Sequence, residues 1–191
     1  MPSLSLRLSF TLLASAVLLA GCSREERSPP QEEAKGALSG EIDRSHAGDL
    51  MPAVALTDPD GKALNTGALS GTPVLLNLWA TWCAPCVKEM PMLDAIAGDY
   101  GDRLRVIVAS QDLGGAEKVV PYFEKAKFAH LEPWLDRENE LMTAIAPEGV
   151  LPTTVLYSSS GEEVARVIGE FDWESPEAEA LIDEAVEPNA S

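Results

Sequence analysis

The stretch Val74-Leu75-Leu76-Asn77-Leu78-Trp79-Ala80-Thr81-Trp82-Cys83-Ala84-Pro85-Cys86 decides how this chain is read. Its first part is an apolar run broken only by Asn77, the pattern of a buried strand. Two cysteines follow, separated by two residues, where a helical pattern begins. On the first turn of a helix such a pair has Cα atoms about 5 to 6 Å apart, close enough to bridge and reopen without rebuilding the backbone. The pair reads as a dithiol/disulfide redox centre.

The third cysteine, Cys22, needs a separate explanation. Arg7 is the only charge before Ser23, and the apolar run over residues 8–20 falls short of the roughly 20 residues that span a bilayer. This is a secretion signal. Its closing residues, Leu19-Ala20-Gly21-Cys22, resemble a bacterial lipoprotein signal, with cleavage between Gly21 and Cys22 and a lipid on Cys22. An uncleaved membrane anchor is the alternative, and either way the body of the protein is exported. Outside the cytosol disulfides persist, so Cys83 and Cys86 could form a simple staple. A staple stabilises mainly by closing a long loop, and this one closes almost none. Zinc needs four ligands as a rule, and only His46 and His130 are available to complete a set. Redox chemistry is the better reason for the pair, and no metal or cofactor is expected.

With 191 residues and a formal charge of −17, the chain fits one domain of about 140 residues behind a linker. The expected division is a signal over residues 1–21, a flexible tether over 22–49, a folded domain over 50–187 and a short tail over 188–191. The tether follows from the Glu, Ser, Pro and Gly content of residues 23–49, which offers too little apolar surface to fold. Loss of Arg7 with the signal makes the protein one unit more acidic, and nucleic acid is excluded as a partner on charge. A monomer is the default.

Within the domain, residues 53–57 and 62–65 flank the turn Asp58-Pro59-Asp60-Gly61 and form a short hairpin. A strand over 74–79 leads into a helix over 84–98, in which Pro85 is tolerated in the first turn and Pro91 produces a kink. A strand over 104–110, a helix over 116–127 interrupted by Pro121, a short strand over 131–135 and a helix over 138–146 come next. Strands over 153–157 and 164–168 around a turn, then a helix over 176–186, close the domain.

The order strand, CxxC helix, strand, helix, hairpin, helix resembles the thioredoxin fold, an α/β architecture with a central mixed sheet flanked by helices. The details resemble its TlpA/ResA-like branch. The residues that carry this are Asn77-Leu78-Trp79-Ala80-Thr81-Trp82-Cys83-Ala84-Pro85-Cys86, then Glu89-Met90-Pro91, then Gly149-Val150-Leu151-Pro152-Thr153-Thr154. The N-terminal hairpin and a central insertion over about residues 121–146 match more loosely. The resemblance implies an exported, membrane-tethered thiol-disulfide oxidoreductase, commonly a reductase serving cytochrome c or copper-site assembly. It also implies a membrane electron donor of the CcdA or DsbD type, because no Gly-rich nucleotide motif is present. The strongly oxidising exported enzymes carry Pro-His between their cysteines, whereas this chain has Ala84-Pro85, which favours the reductase direction.

Roles follow at four places. Cys83, at the helix N-terminus, is the nucleophile, since unpaired N–H groups and the helix dipole favour a thiolate there; Cys86 resolves the mixed disulfide. Thioredoxin places a buried aspartate where this chain has Asn77, which cannot titrate. Glu89, one turn beyond Cys86, is the acid/base candidate, its pKa raised by burial. Trp82 shields the thiols and faces substrate. The resemblance makes Pro152 a cis-proline beside the cysteines, with the backbone of Leu151 exposed for pairing with an extended substrate segment. A Sco-like copper chaperone is the second reading, but that group has a longer cysteine spacing and a histidine late in the chain. Here the only histidine after Cys86 is His130.

Overall fold

The computed structural model describes residues 40–187. The signal, Cys22, residues 22–39 of the tether and the tail lie outside the described residues. In chain order the elements are β1 (Glu41–Asp43), β2 (Ala55–Thr57), β3 (Ala63–Asn65), β4 (Val74–Trp79), α1 (Ala84–Tyr100), β5 (Arg105–Ser110), α2 (Ala116–Ala126), β6 (Pro133–Leu135), α3 (Glu140–Ile145), β7 (Thr153–Tyr157), β8 (Glu163–Ile168) and α4 (Pro176–Val186).

The strands make one mixed sheet in the order β1-β8-β7-β4-β5-β6-β2-β3. β4 lies at its centre, parallel to β5 and antiparallel to β7, with Leu78 opposite both Ala109 and Thr153. All six β4 residues are buried, as a strand covered on both faces must be. Leu75 and Trp79 point into the core under α1, α2 and α4. Val74, Leu76 and Leu78 point into the opposite core with Ile107, Trp134, Leu141 and Tyr157. This is the thioredoxin-like α/β architecture, with the β2–β3 hairpin added at one edge and an insertion carrying β6 and α3.

α1 starts where Cys83 caps it and Pro85 occupies the first turn, a position that loses no helical hydrogen bond. Its buried residues are Cys86, Glu89, Met90, Leu93 and Ile96, a single stripe at helical spacing. Burying Met90 and Leu93 completely stabilises by about 1.5 to 3 kcal/mol for each side chain. Gly101 ends the helix at φ 53° and donates its N–H to Ala97.

Two expectations are corrected. The tether does not reach Asp49: β1 pairs antiparallel with β8, and Gly40 N–H donates to Glu170 O at 2.7 Å. Three residues of mixed polarity, Glu41-Ile42-Asp43, carry no periodic signal, so only the partner strand fixes them. Pro121 does not interrupt α2, which runs through it. One lost backbone bond is offset by packing of Tyr122 and Phe123 on Trp79, with ring centroids 5.2 and 6.0 Å away. Among the described residues no helix is long and apolar enough to cross a membrane.

Candidate redox site

The site lies where the β4–α1 loop leaves the centre of the sheet. Cys83 and Cys86 are joined as a disulfide, with Cα atoms 5.3 Å apart. Cys83 is the N-cap of α1, and its Sγ accepts the Cys86 N–H at 3.3 Å. The Cys86 N–H of the first turn therefore points at this sulfur, which also sits at the positive end of the helix dipole, an arrangement that favours its anionic form once the bridge opens. Cys83 is 6% exposed and Cys86 1%, so an incoming group meets Cys83 first. Trp82, beside it, is 69% exposed.

Glu89 occupies the buried stripe of α1 one turn beyond Cys86, a spacing that puts Cβ atoms about 5 to 6 Å apart. It is 1% exposed. Its Oε1 accepts the Phe171 N–H at 2.7 Å. The Trp173 indole N–H also favours the ionised carboxyl, although neither Nε1 of Trp173 nor Oε2 of Glu89 completes a hydrogen bond by geometry. Burial outweighs both donors, and nearby Glu170 adds to it, so the Glu89 pKa is pushed up to about 7. A group poised there can take or give a proton near neutrality.

The peptide bond Leu151–Pro152 is cis. Because Leu78 faces Thr153 across the antiparallel β4–β7 pair, Pro152 sits next to the end of β4 from which the cysteine loop departs. The Pro152 carbonyl accepts from Gly169 N–H, while the backbone of Leu151 makes no such bond among the described residues. Asn77 donates from Nδ2 to Thr154 Oγ1 at 2.8 Å within the sheet.

His130 does not join the site. A Cβ built on Gly98 would lie 2.8 Å from His130 Nε2, so the ring rests against α1 twelve residues past Cys86, about 18 Å along the helix. Three further residues shape the site without having been legible as part of it. Asp112 accepts from Thr81 N–H at 2.9 Å and from Thr81 Oγ1 at 2.6 Å, and so fastens the cysteine loop to the end of β5. Phe171 and Trp173, packed edge to face at 5.1 Å, close over Glu89 from the β8–α4 connection. The one sequence signal for them was an aromatic pair in a segment otherwise read as loop.

The redoxin family pattern matches residues 46–182. This chain belongs to the TlpA/ResA-like redoxin family. It is 31% identical over 128 residues to the thiol-disulfide oxidoreductase ResA of Bacillus cereus, covering 67% of this chain and 73% of that protein. It is 32% identical over 124 residues to ResA of Bacillus subtilis, covering 64% and 67%. The solved thiol:disulfide interchange protein of the thioredoxin family from Chlorobium tepidum superposes with a TM-score of 0.60 at 19% identity, over 73% of this chain and 97% of that one; at that identity the likeness concerns the fold. As a redoxin of ResA type with a close cysteine pair, the protein is a thiol-disulfide oxidoreductase.

Proposed function

We propose that this oxidoreductase works as a reductase of exported proteins, held to a bacterial membrane by a lipid on Cys22. The observation that carries the exchange chemistry is the pairing of a helix-capping Cys83 with a buried Glu89 one turn beyond Cys86, and the Ala84-Pro85 pair between the cysteines favours the reductase direction. In the reduced protein the Cys83 thiolate attacks a substrate disulfide, forming a mixed disulfide and releasing one substrate thiolate. Glu89 takes the proton of the Cys86 thiol. The Cys86 thiolate then attacks Cys83 Sγ, which forms the intramolecular bridge and releases the second substrate sulfur. Two electrons pass to the substrate, and its thiolates take up the two protons lost by the cysteines.

Leu151 offers free backbone groups beside the pair, suited to an extended substrate segment, and Trp82 supplies an apolar contact next to Cys83. Regeneration falls to a membrane dithiol donor of the CcdA or DsbD type, and the substrate class is a cysteine pair in cytochrome c or copper-site assembly. The protein acts as a monomer.

The test has two arms. The purified protein accelerates reduction of insulin by a dithiol, and Cys86→Ala in the native host accumulates a mixed disulfide through Cys83 with an exported protein. Absence of both would refute the reductase reading, and tight Cu(I) binding in place of insulin reduction would establish the chaperone reading instead.

A further inference from the structure

Among the described residues, four large apolar side chains are exposed: Leu50, Trp82, Leu113 and Val150. An isolated exposed leucine means little, but a convergent set around a reactive group marks a contact surface. Three of the four belong to loops at the same end of three neighbouring strands: two leave β4 and β5, and the third enters the antiparallel β7. Trp82 is in the β4–α1 loop, Leu113 in the β5–α2 loop and Val150 in the α3–β7 loop, and the strands run in the order β7-β4-β5. Cys83 emerges from the middle strand of the three.

Leu113 is 91% exposed, yet it is firmly placed. It stands in a turn closed by Gly115 N–H donating to Asp112 O at 2.8 Å. Gly115 adopts φ 52°, which an ordinary side chain resists. A Cβ at Gly114 would come within 2.7 Å of Lys118 Cγ. The base of the turn is anchored by the Asp112 carboxylate, which accepts from Thr81 N–H, Thr81 Oγ1 and Ser110 Oγ, and by Gln111 N–H donating to Trp79 O at 2.8 Å. A preorganised apolar tip loses little entropy when a partner covers it. Val150 is likewise held, its carbonyl accepting from Thr153 Oγ1 at 2.9 Å.

We propose that Leu113 is a specificity-determining contact for substrate. With Trp82 and Val150 it forms a three-sided apolar rim that receives an extended polypeptide whose disulfide is flanked by large apolar side chains. The occupant follows from continuity with Cys83 and from the free Leu151 backbone inside the rim, which suit a peptide chain. The inference rests on the reductase reading and deepens it.

The experiment compares two peptides of equal length, each with one intramolecular disulfide, flanked in one by Leu and Phe and in the other by Ser, with the full-length protein recycled by a dithiol. The wild type shows a kcat/KM about tenfold higher for the apolar peptide, the scale expected for partly burying one leucine. In Leu113→Ser that ratio falls toward unity, and Leu113→Met restores it; unchanged near-ultraviolet circular dichroism establishes that the fold is intact. An unaltered ratio in Leu113→Ser, or a parallel loss on both peptides, overturns the proposal while leaving the reductase reading standing. A wild type inert toward both peptides and toward insulin removes that reading, and this inference with it.

Discussion

Glu89 sits in a stripe whose other members are sulfur and hydrocarbon, and its proton affinity reflects that placement. With a folded pKa of about 7 against an ordinary 4.5, the native state holds its proton where the unfolded chain has released it. Native stability therefore falls as pH rises from about 4.5 to 7, and ionising this carboxyl costs about 3 kcal/mol in total, at 1.36 kcal/mol per pKa unit. Glu89→Gln removes that slope: its urea midpoint should exceed the wild type's above pH 7 and converge with it near pH 4. The same variant should slow disulfide exchange by about 100-fold, the low end for loss of a general acid/base, and flatten the rate profile around neutrality. Stopped-flow rates across pH 5 to 9 check this, and an unchanged profile would take Glu89 out of the mechanism. The burial itself was readable, because residues 86, 89, 90, 93 and 96 fall on one helical face. What the sequence concealed was the cover: Phe171 and Trp173 reach Glu89 from 82 and 84 residues away, a separation no local pattern spans.

Connections between elements rest on a few carboxylates. Asp94, on α1, accepts the N–H groups of Ala129, His130 and Leu131 at 3.1, 2.8 and 3.0 Å, joining the helix to the segment that leads from α2 into β6. Partial burial opposes its charge, but the three donors prevail and hold the carboxyl below its ordinary value. Asp94→Ala should cost about 2 to 3 kcal/mol, as donors lose a charged acceptor, measured by urea unfolding. That contribution is present above pH 3.8 and fades as pH falls through the lower native pKa. Asp112→Ala should release the cysteine loop from β5 at a similar cost of about 1 to 3 kcal/mol, with faster amide exchange at Thr81 as the readout and partial recovery in Asp112→Asn. Strands and helices with strong periodicity, such as β4, α1, β7 and α4, were legible where they fall. The placement of β6 between β5 and the β2–β3 hairpin was not, since pairing partners for three-residue strands come from tertiary contacts. Asp112 was unreadable for a related reason: its acceptor role depends on Thr81, brought beside it only by parallel pairing of β4 and β5.

Across the whole molecule, the far side of the sheet is secured by an ion pair with little water around it. Arg166 donates from Nε and Nη2 to Glu163, both at 2.7 Å, and from Nη1 to Ile145 O at 2.8 Å, joining β8 to the end of α3. Both side chains are buried. Arg166→Leu leaves a buried carboxylate alone and should cost about 3 to 5 kcal/mol, whereas the double change with Glu163→Leu should recover most of it; a double-mutant cycle in urea measures the coupling. Among the described residues the two margins of the sheet, β1 and β3, span only three residues apiece. Strands that brief give another copy too few unsatisfied amides to template growth, and the net charge of −17 adds mutual repulsion. A protein built this way resists edge-to-edge aggregation and fibre formation even when many copies crowd together.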